Sequence, residues 1–373
     1  MELTAKIREL AKKIPTPFLI MDLEIVRSNY LELQAAFPQG KIFYAIKANA
    51  HPRIIKLLHS LGCNFDAASL GEINKLLSLG VEPDKISFGN TIKREREIGV
   101  ANSYGINYYV ADSDIEVEKI SRQAPEKKCF VRLEMDPGES DWPLSHKFGT
   151  PREEAVKLLK FAKNSGLVPY GLSFHVGSQC YNPKRWAIAL DKCRFVFEEL
   201  SKSGISLSMI NLGGGFPIQH LKPIPDIQTI AREVDRFLKK NFYPLPEIFL
   251  EPGRSMVGNA GILVSSVITR REDERENWLF IDAGCFHGLM ESIEDFRYEI
   301  RTDIEQNGDS PGEYHLAGPT CDSVDVIYDN ILLPRSLTLD DKLYFINTGA
   351  YTVEYNTNFN GIEPPKIYFL DEV

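Results

Sequence analysis

Features that define several protein classes are missing from this chain of 373 residues. Its six cysteines are scattered and form no CxxC pair, which argues against a zinc ribbon, a redox dithiol or a disulfide framework. We therefore expect a reducing, cytoplasmic location and no metal site. No apolar run approaches the ~20 residues that a membrane-spanning helix needs. The net charge of −9 argues against nucleic acid and anionic membranes as partners.

What is present is a regular alternation of short apolar strands with segments of helical periodicity. The candidate strands lie at 42–46, 64–67, 85–88, 108–110, 129–133, 171–174, 208–212 and 247–250. Eight such units predict an α/β fold, a parallel (β/α)8 barrel of the TIM type over residues 22–255. An open, doubly wound sheet is the alternative.

The alternation ends after residue 255. Runs at 261–269, 278–281, 342–346 and 366–369 have strand character and no long helices between them. Residues 256–373 are therefore predicted to form a second, mostly antiparallel β-domain. Residues 1–21 are predicted to form an amphipathic helix and a strand, and this strand is expected to join the β-domain.

Lys47 ends the first barrel strand, in the sequence KIFYAIKAN. The residues before it are mostly apolar, so its ammonium is expected to be desolvated, which lowers the pKa of a lysine. The neutral amine can then form a Schiff base with a carbonyl compound. A solvated lysine at a strand end is the alternative.

Other chemically distinctive residues end further strands, at the face where such barrels have their active sites. They are Asp66, Arg132, His175, Gly213, Gly214, Gly215, Glu251 and Arg254. The three glycines and Arg254 suit a phosphate group, with a tight turn as the alternative reading of the glycines. His175 suits ring stacking or proton transfer, unless it is a core histidine. Glu251 suits a pyridine nitrogen, unless it forms a salt bridge.

A lysine, a phosphate cradle, a stacking ring and a carboxylate together describe a pyridoxal 5′-phosphate site. With these residues in place, the chain resembles the fold type III (alanine racemase-like) pyridoxal-phosphate decarboxylases, and most of all the ornithine decarboxylase group. The matching motifs are YAIKAN at 44–49, FDAAS at 65–69, Glu72, HVGS at 175–178, GGGFP at 213–217, EPGR at 251–254, GPTCDSVD at 318–325, GAYT at 349–352 and FNG at 359–361. They span almost the whole chain.

The resemblance implies a role for each of these residues. Lys47 is expected to hold the cofactor covalently, His175 to stack on its ring and Glu251 to pair with its pyridine nitrogen, with Asp66 and Arg132 in the surrounding polar network. The phosphate is expected to contact Ser178, Gly213, Gly214, Gly215, Gly253, Arg254 and Tyr351.

The resemblance also implies a homodimer with shared active sites. Cys321 and Asp322 are then expected to reach Lys47 of the partner subunit, with Cys321 as the proton donor after carbon dioxide leaves. Without the flanking motif, Cys321 would be read as a small buried apolar side chain. The substrate is expected to contact Asp295, Asp322, Tyr351 and Phe359.

The expected reaction is decarboxylation of a basic amino acid, L-ornithine to putrescine, in polyamine biosynthesis. Asp295 is expected to bind the distal amine, unless it belongs with Glu291 and Glu294 to a solvated acidic face. Lysine is one methylene longer, a difference of only ~1–3 kcal/mol, so the alternative is a dual ornithine/lysine enzyme or a decarboxylase of another basic amino acid.

A catalytically silent regulator of the antizyme-inhibitor kind is an alternative of another class, and an amino-acid racemase would need a tyrosine in place of Cys321. Asn211 departs from the family pattern, which often has an acidic residue before the glycines.

Overall fold

The computed structural model describes residues 1–136, 138, 140–142, 147–272, 274, 276–304 and 310–373. The chain divides into two compact units. One unit comprises Met1–Ser28, Ile218–Pro223 and Val257–Val373, and the other comprises Asn29–Pro217 and Ile224–Met256. No helix within the described ranges is long and apolar enough to cross a membrane.

Strands and helices alternate through most of the chain. The strands are β1 (Phe18–Met21), β2 (Gly40–Ala45), β3 (Asn64–Ala67), β4 (Ile86–Phe88), β5 (Tyr108–Ala111), β6 (Lys128–Arg132), β7 (Ser140–Trp142), β8 (Val168–Ser173), β9 (Ser178–Cys180), β10 (Met209–Asn211), β11 (Glu247–Leu250), β12 (Gly261–Glu272), β13 (Asn277–Ile281), β14 (Ile300–Thr302), β15 (Pro311–Ala317), β16 (Val326–Pro334), β17 (Lys342–Ile346) and β18 (Lys366–Phe369). The helices are α1 (Ala5–Lys13), α2 (Leu23–Ala36), α3 (Pro52–Ser60), α4 (Leu70–Ser78), α5 (Glu95–Ser103), α6 (Asp114–Gln123), α7 (Arg152–Asn164), α8 (Lys184–Ser201), α9 (Ile227–Asn241) and α10 (Arg254–Val257).

The second unit is a closed parallel barrel, with strand order β10-β11-β2-β3-β4-β5-β6-β8. This confirms the predicted fold class and rules out the open sheet. The strands begin and end within a few residues of the predicted positions, because short, buried apolar runs are what parallel strands require.

The helices around the barrel follow from capping residues and apolar spacing. Asp226 caps α9, where its Oδ1 accepts a hydrogen bond from the Thr229 N–H at 2.6 Å. Ile230, Val234 and Leu238 follow at intervals of four residues and are all buried. The sequence therefore specifies both where this helix begins and which face packs inward.

Aromatic residues fill the barrel near the amino ends of its strands. Phe43, Tyr170 and Phe249 belong to one buried cluster. The Lys128 ammonium lies 4.1 Å from the centroid of the Tyr170 ring, and the Tyr170 hydroxyl donates to Glu247 Oε1 at 2.7 Å. This end is packed, so the opposite end, where the strands terminate, is the one left to carry a site.

The first unit contains a mostly antiparallel sheet in the order β14-β17-β12-β13-β15-β16, as predicted. β1 pairs antiparallel with β12 and parallel with β18. Ile7 and Ala11 of α1 pack against Phe18 and Ile20 of β1. The sequence pattern does not predict strands β14, β15 and β16 of this sheet, nor the two-stranded sheet of β7 and β9.

Candidate active site

Lys47 lies just beyond the end of a barrel strand. β2 ends at Ala45, and one turn of 3-10 helix, Ile46–Ala48, carries the lysine. The Tyr44 hydroxyl donates to the Asn49 carbonyl at 2.9 Å, which holds this turn. Lys47 is exposed in the single chain, so the predicted burial of its ammonium is wrong. The chain turns at Ile46, and Lys47 is therefore not inside the apolar strand that precedes it.

Charged groups from other strand ends lie close to this lysine. Asp66 of β3 is only 4% exposed, and its Oδ1 has no hydrogen-bond partner among the described residues. Burial, and then the negative charge of Glu251, raise the pKa of Asp66 well above its usual range, while Lys47 and Arg132 oppose this. Burial lowers the pKa of the Arg132 guanidinium. The predicted polar network is therefore assembled at the carboxyl ends of the strands.

His175 follows β8, where its ring is held in one orientation. The Gly177 N–H donates to Nδ1 at 3.1 Å, so Nδ1 carries no proton. Burial, with the nearby positive charges of Arg132 and Lys47, holds the pKa of His175 well below its usual range. A Cβ added at Gly214 would lie 3.2 Å from Nε2, so the ring lies close to the glycine loop. A neutral, flat imidazole in this place suits stacking on another ring.

Asn211, the last residue of β10, connects two predicted parts of the site. Its Nδ2 donates to Glu251 Oε1 at 2.6 Å, and its Oδ1 accepts from the Gly213 N–H at 2.9 Å. Burial raises the pKa of Glu251, whereas the Asn211 hydrogen bond, Lys47 and Arg132 oppose that effect. From the sequence alone, Asn211 is only a departure from the family pattern. The available signal was its position directly before the glycine loop, at a strand end.

The three glycines of this loop approach neighbouring backbone too closely for any side chain. Gly213 and Gly215 have φ of 65° and 92°. A Cβ would lie 2.0 Å from the Phe174 oxygen at Gly213 and 2.6 Å from the Glu251 carbonyl oxygen at Gly214. The Gly213 N–H donates to Asn211, and because no side chain covers the backbone here, the other N–H groups of the loop suit a phosphate group.

Ser178 begins β9, which pairs with β7 in a small antiparallel sheet beside the glycine loop. Ser178 stands opposite Trp142 in this pairing. The Gly215 carbonyl accepts from the Cys180 N–H at 2.9 Å, which ties β9 to the loop. Arg254 is 4% exposed, and its guanidinium lies 4.8 Å from the centroid of the Trp142 ring.

These barrel residues fit a phosphorylated, aromatic cofactor. The glycine loop, with buried Gly253 and Arg254 after the next strand, offers phosphate donors. Asp66 offers an unsatisfied buried oxygen, and His175 offers a neutral ring. Residues 23–258 match the family model described as "Pyridoxal-dependent decarboxylase, pyridoxal binding domain".

The chain belongs to the pyridoxal-dependent decarboxylase family.

Similarity to individual members of this family and its relatives extends over nearly the whole chain. A lysine/ornithine decarboxylase of Selenomonas ruminantium is 34% identical over 376 residues, 98% of this chain and 93% of that protein. Antizyme inhibitor 2 of Xenopus laevis is 32% identical over 370 residues, 94% of this chain and 80% of that protein.

Solved structures of the Vibrio vulnificus lysine/ornithine decarboxylase, complexed with cadaverine and with putrescine, are each 32% identical with a TM-score of 0.90. They cover 99% and 100% of this chain, respectively, and 100% of each solved chain. The cofactor of this pyridoxal-dependent decarboxylase is pyridoxal 5′-phosphate, and the protein is a carboxy-lyase of the ornithine decarboxylase type.

The β-domain carries the remaining predicted site residues. Of the six cysteines, Cys321 is exposed and the other five are buried, so its interpretation as a buried apolar side chain is wrong. The Cys321 N–H donates to Asn360 Oδ1 at 3.0 Å. Asn360 follows Phe359, and Phe359 packs against Phe286 with ring centroids 5.0 Å apart. Cys321 and Phe359 are therefore brought near each other.

Asp295 and Glu291 have different environments in the same unit. A 3-10 helix, Met290–Glu294, ends at Asp295, which has φ of 61° and is exposed. Glu291 is 9% exposed and accepts a hydrogen bond from the Tyr298 hydroxyl at 2.7 Å. Its interpretation as part of a solvated acidic face is therefore wrong.

Two further predicted residues of the β-domain are partly exposed. Asp322 is half-buried, and its Oδ1 accepts from the Val324 N–H at 2.9 Å. Tyr351 is half-buried with φ of 58° and stacks on Tyr355 at 6.1 Å between ring centroids.

Proposed function

We propose that the protein converts L-ornithine to putrescine in cytoplasmic polyamine biosynthesis, as a homodimer with shared active sites. The observation that carries the substrate assignment is the environment of the acidic residues in the β-domain. Glu291 is engaged by Tyr298, whereas Asp295 is exposed at the end of its helix. An accessible carboxylate can accept charge-assisted hydrogen bonds from the distal ammonium of a basic amino acid, which supports the assignment of Asp295.

The barrel residues would hold the cofactor. Lys47 would bind it covalently through Nζ, and His175 would stack on its ring. Bound pyridoxal 5′-phosphate supplies an electron sink for the electrons that remain when the carboxylate leaves the substrate. The phosphate would be held by Ser178, Gly213, Gly214, Gly215, Gly253, Arg254 and Tyr351.

Glu251 would hold a proton on the pyridine nitrogen. This role requires an ionised carboxylate, and the Asn211 hydrogen bond at 2.6 Å favours that form. The same hydrogen bond fixes the side chain in one orientation. Asp66 and Arg132 would complete the polar network around Lys47.

Cys321 would donate the proton that replaces the departed carboxylate. Its exposure in the single chain supports this role, since a donor has to reach the substrate. In the proposed homodimer, Cys321 and Asp322 serve the site of the partner subunit, and Asp322 joins Asp295 in binding the distal amine. Tyr351 and Phe359 would line the substrate pocket.

The deciding experiment is carbon dioxide release from purified protein with pyridoxal 5′-phosphate, offered ornithine, lysine, arginine and meso-diaminopimelate separately. We expect release from ornithine, and none from a Lys47→Ala variant. Release only from another amino acid would overturn the substrate and retain the reaction class. Absence of release from every substrate, despite bound cofactor, would favour the silent regulator, the kind of protein that the antizyme inhibitor name denotes.

A dual ornithine/lysine activity is the second candidate, favoured by the name of the Selenomonas relative and by the two Vibrio complexes. Asp295→Glu tests it, because the variant advances the carboxylate by one methylene and leaves less room for the longer substrate. We expect the ratio of kcat/KM for ornithine to kcat/KM for lysine to rise. The corresponding difference in activation free energy should grow by ~1–3 kcal/mol. Glu294→Asp is the matched control, since Glu294 is also exposed.

Shared sites are tested by mixing inactive subunits. Lys47→Ala and Cys321→Ala subunits, mixed equally, should recover about a quarter of wild-type activity, since half of the dimers are mixed and each has one intact site. No recovery despite proven subunit exchange would overturn the shared site.

A further inference from the structure

A buried carboxylate in the β-domain connects the two segments that carry the proposed proton donor and the proposed specificity acid. Asp325 is 2% exposed and directly precedes β16. Its Oδ1 accepts from the Cys285 N–H at 2.7 Å. Its Oδ2 accepts from the Thr320 N–H at 3.0 Å and from the Thr320 hydroxyl at 2.7 Å.

Two glycines make room for this carboxylate. A Cβ at Gly284 would lie 2.1 Å from Oδ1 of Asp325, and a Cβ at Gly318 would lie 2.3 Å from the same atom. Both positions therefore have to be glycine if the carboxylate is to reach its donors. None of the three donors is a cation, and burying a carboxylate among neutral groups is costly for stability.

On one side, Asp325 organises the loop that carries Cys321. Thr320, which supplies two of the three donors, is the residue before Cys321 in the chain. The Asp325 N–H donates to the Asp322 carbonyl at 3.1 Å, and the Gly318 N–H donates to the Asp325 carbonyl at 2.9 Å. Backbone and side chain of Asp325 thus close the loop from 318 to 325 upon itself.

On the other side, the contact with Cys285 leads to Asp295. The Cys285 Sγ lies 3.4 Å from the Ser292 hydroxyl. The Asp295 N–H in turn donates to the Ser292 carbonyl at 3.0 Å. A displacement of the Cys285 backbone would therefore move the turn that presents Asp295.

We propose that Asp325 is a positioning residue that fixes the Cys321 loop and the Asp295 turn relative to each other. The proposal rests on the proposed function, because it assigns the two segments to one reaction. The contacts of Asp325 with Thr320 and its contact with Cys285 have separate kinetic consequences. Loss of the Thr320 contacts displaces the proton donor and lowers kcat, whereas loss of the Cys285 contact displaces the specificity acid and raises KM.

Two variants separate the effect of the Thr320 contacts from the effect of the Cys285 contact. Thr320→Val removes only the hydroxyl donor, so we expect kcat for ornithine to fall while KM is unchanged. Asp325→Asn keeps the shape but replaces one acceptor by an NH2 group, so kcat should fall by about 100-fold, the effect of a displacement near 1 Å, and KM should rise. Asp329→Asn, an exposed residue of the same strand, is the matched control. The absorbance of the bound cofactor should match wild type in all three, since the substitutions lie outside the barrel.

Unchanged kcat and KM in a folded Asp325→Asn protein would overturn the proposal. If Asp325→Asn does not fold, the kcat of Thr320→Val decides, and a wild-type value there overturns it. The rate at which Cys321 reacts with a soluble thiol reagent gives a readout without turnover, with Cys321→Ala as the blank. If the wild-type protein releases no carbon dioxide at all, the proposed function fails. A changed rate of thiol reaction in the variants would still support Asp325 as the positioning residue, and an unchanged rate would refute it.

Discussion

Replacing Asn211 by alanine tests the hydrogen bonds at the centre of the barrel site. Nδ2 donates to Glu251 Oε1 at 2.6 Å, and Oδ1 accepts from the Gly213 N–H at 2.9 Å. Asn211 is 1% exposed, so water does not readily replace either partner. Asn211→Ala therefore removes a donor from a carboxylate and leaves a buried N–H without its acceptor.

The direction of the effect follows from the ionisation of Glu251. Burial raises its pKa, and the Asn211 hydrogen bond and two nearby cations oppose this. If the cofactor requires the ionised carboxylate, tight binding is present above this pKa and is lost as the pH falls through it. A hydrogen bond to a charged group contributes about 1.5–3 kcal/mol, so the acid midpoint of cofactor binding should move up by about one to two pH units in Asn211→Ala.

The assay is a titration of apo-protein with pyridoxal 5′-phosphate over a range of pH, followed by the absorbance of the bound cofactor. Asn64→Ala is the matched control, because its amide donates to the Ile42 carbonyl at 3.2 Å near the other end of the barrel. The control should keep the wild-type midpoint. An Asn211→Ala protein with wild-type affinity and midpoint would refute the reasoning.

Three other predictions concern the buried ion pair, the glycine loop and the cysteines. Glu116→Gln leaves the buried Lys93 ammonium, 2.9 Å from Glu116 Oε1, without its carboxylate, and should lower the free energy of unfolding in urea by about 3–5 kcal/mol. Gly214→Ala places a methyl group 2.6 Å from the Glu251 carbonyl oxygen, so cofactor affinity should fall in the same titration. Native protein should expose one reactive thiol per chain, lost in Cys321→Ala, since the other cysteines are buried.

Each of these three predictions has a control variant or a result that would contradict it. Glu118→Gln, on the same helix but half exposed, should leave the unfolding free energy almost unchanged. Gly71→Ala should not affect cofactor binding, because a Cβ there meets no atom closer than 3.6 Å. Reaction of a second thiol in the native state would contradict the burial of the other five cysteines, among which burial raises the pKa of Cys63 to about 12.

The barrel was predictable from sequence because its strands are buried on both faces. Such strands are continuous apolar runs, as in β2 and β11, and their carboxyl ends must carry the site. The small strands β7 and β9 have no such signal, since SDW and SQC are short and polar. Sequence alone therefore does not show that Ser178 begins a strand.

The environment of single side chains was less predictable. Lys47 follows five buried residues, yet a turn after Ala45 leaves it exposed, and the bond from Tyr44 to Asn49 that holds this turn depends on three-dimensional contacts. From the sequence, Glu291 cannot be distinguished from its acidic neighbours. In the structure, the hydroxyl of Tyr298, seven residues further along the chain, donates a hydrogen bond to its carboxylate. A residue pattern gives the chemistry of a side chain, whereas burial depends on which segments pack against it.

Asn211 and Asp325 hold segments that carry sequence motifs in fixed positions. Each is a buried polar side chain that bonds two segments at once: Asn211 joins Glu251 to the glycine loop, and Asp325 joins Cys285 to Thr320. Neither side chain takes part in the expected decarboxylation, so the chemistry of that reaction does not identify either of them from the sequence. The amide of Asn211 can do both, because its NH2 group donates to the carboxylate while its oxygen accepts from the glycine, whereas an ionised acid would have no hydrogen to donate. We therefore expect Asn211 to set the pH range of cofactor binding and Asp325 to set the alignment of the β-domain segments, while Lys47 and Cys321 carry the proposed reaction.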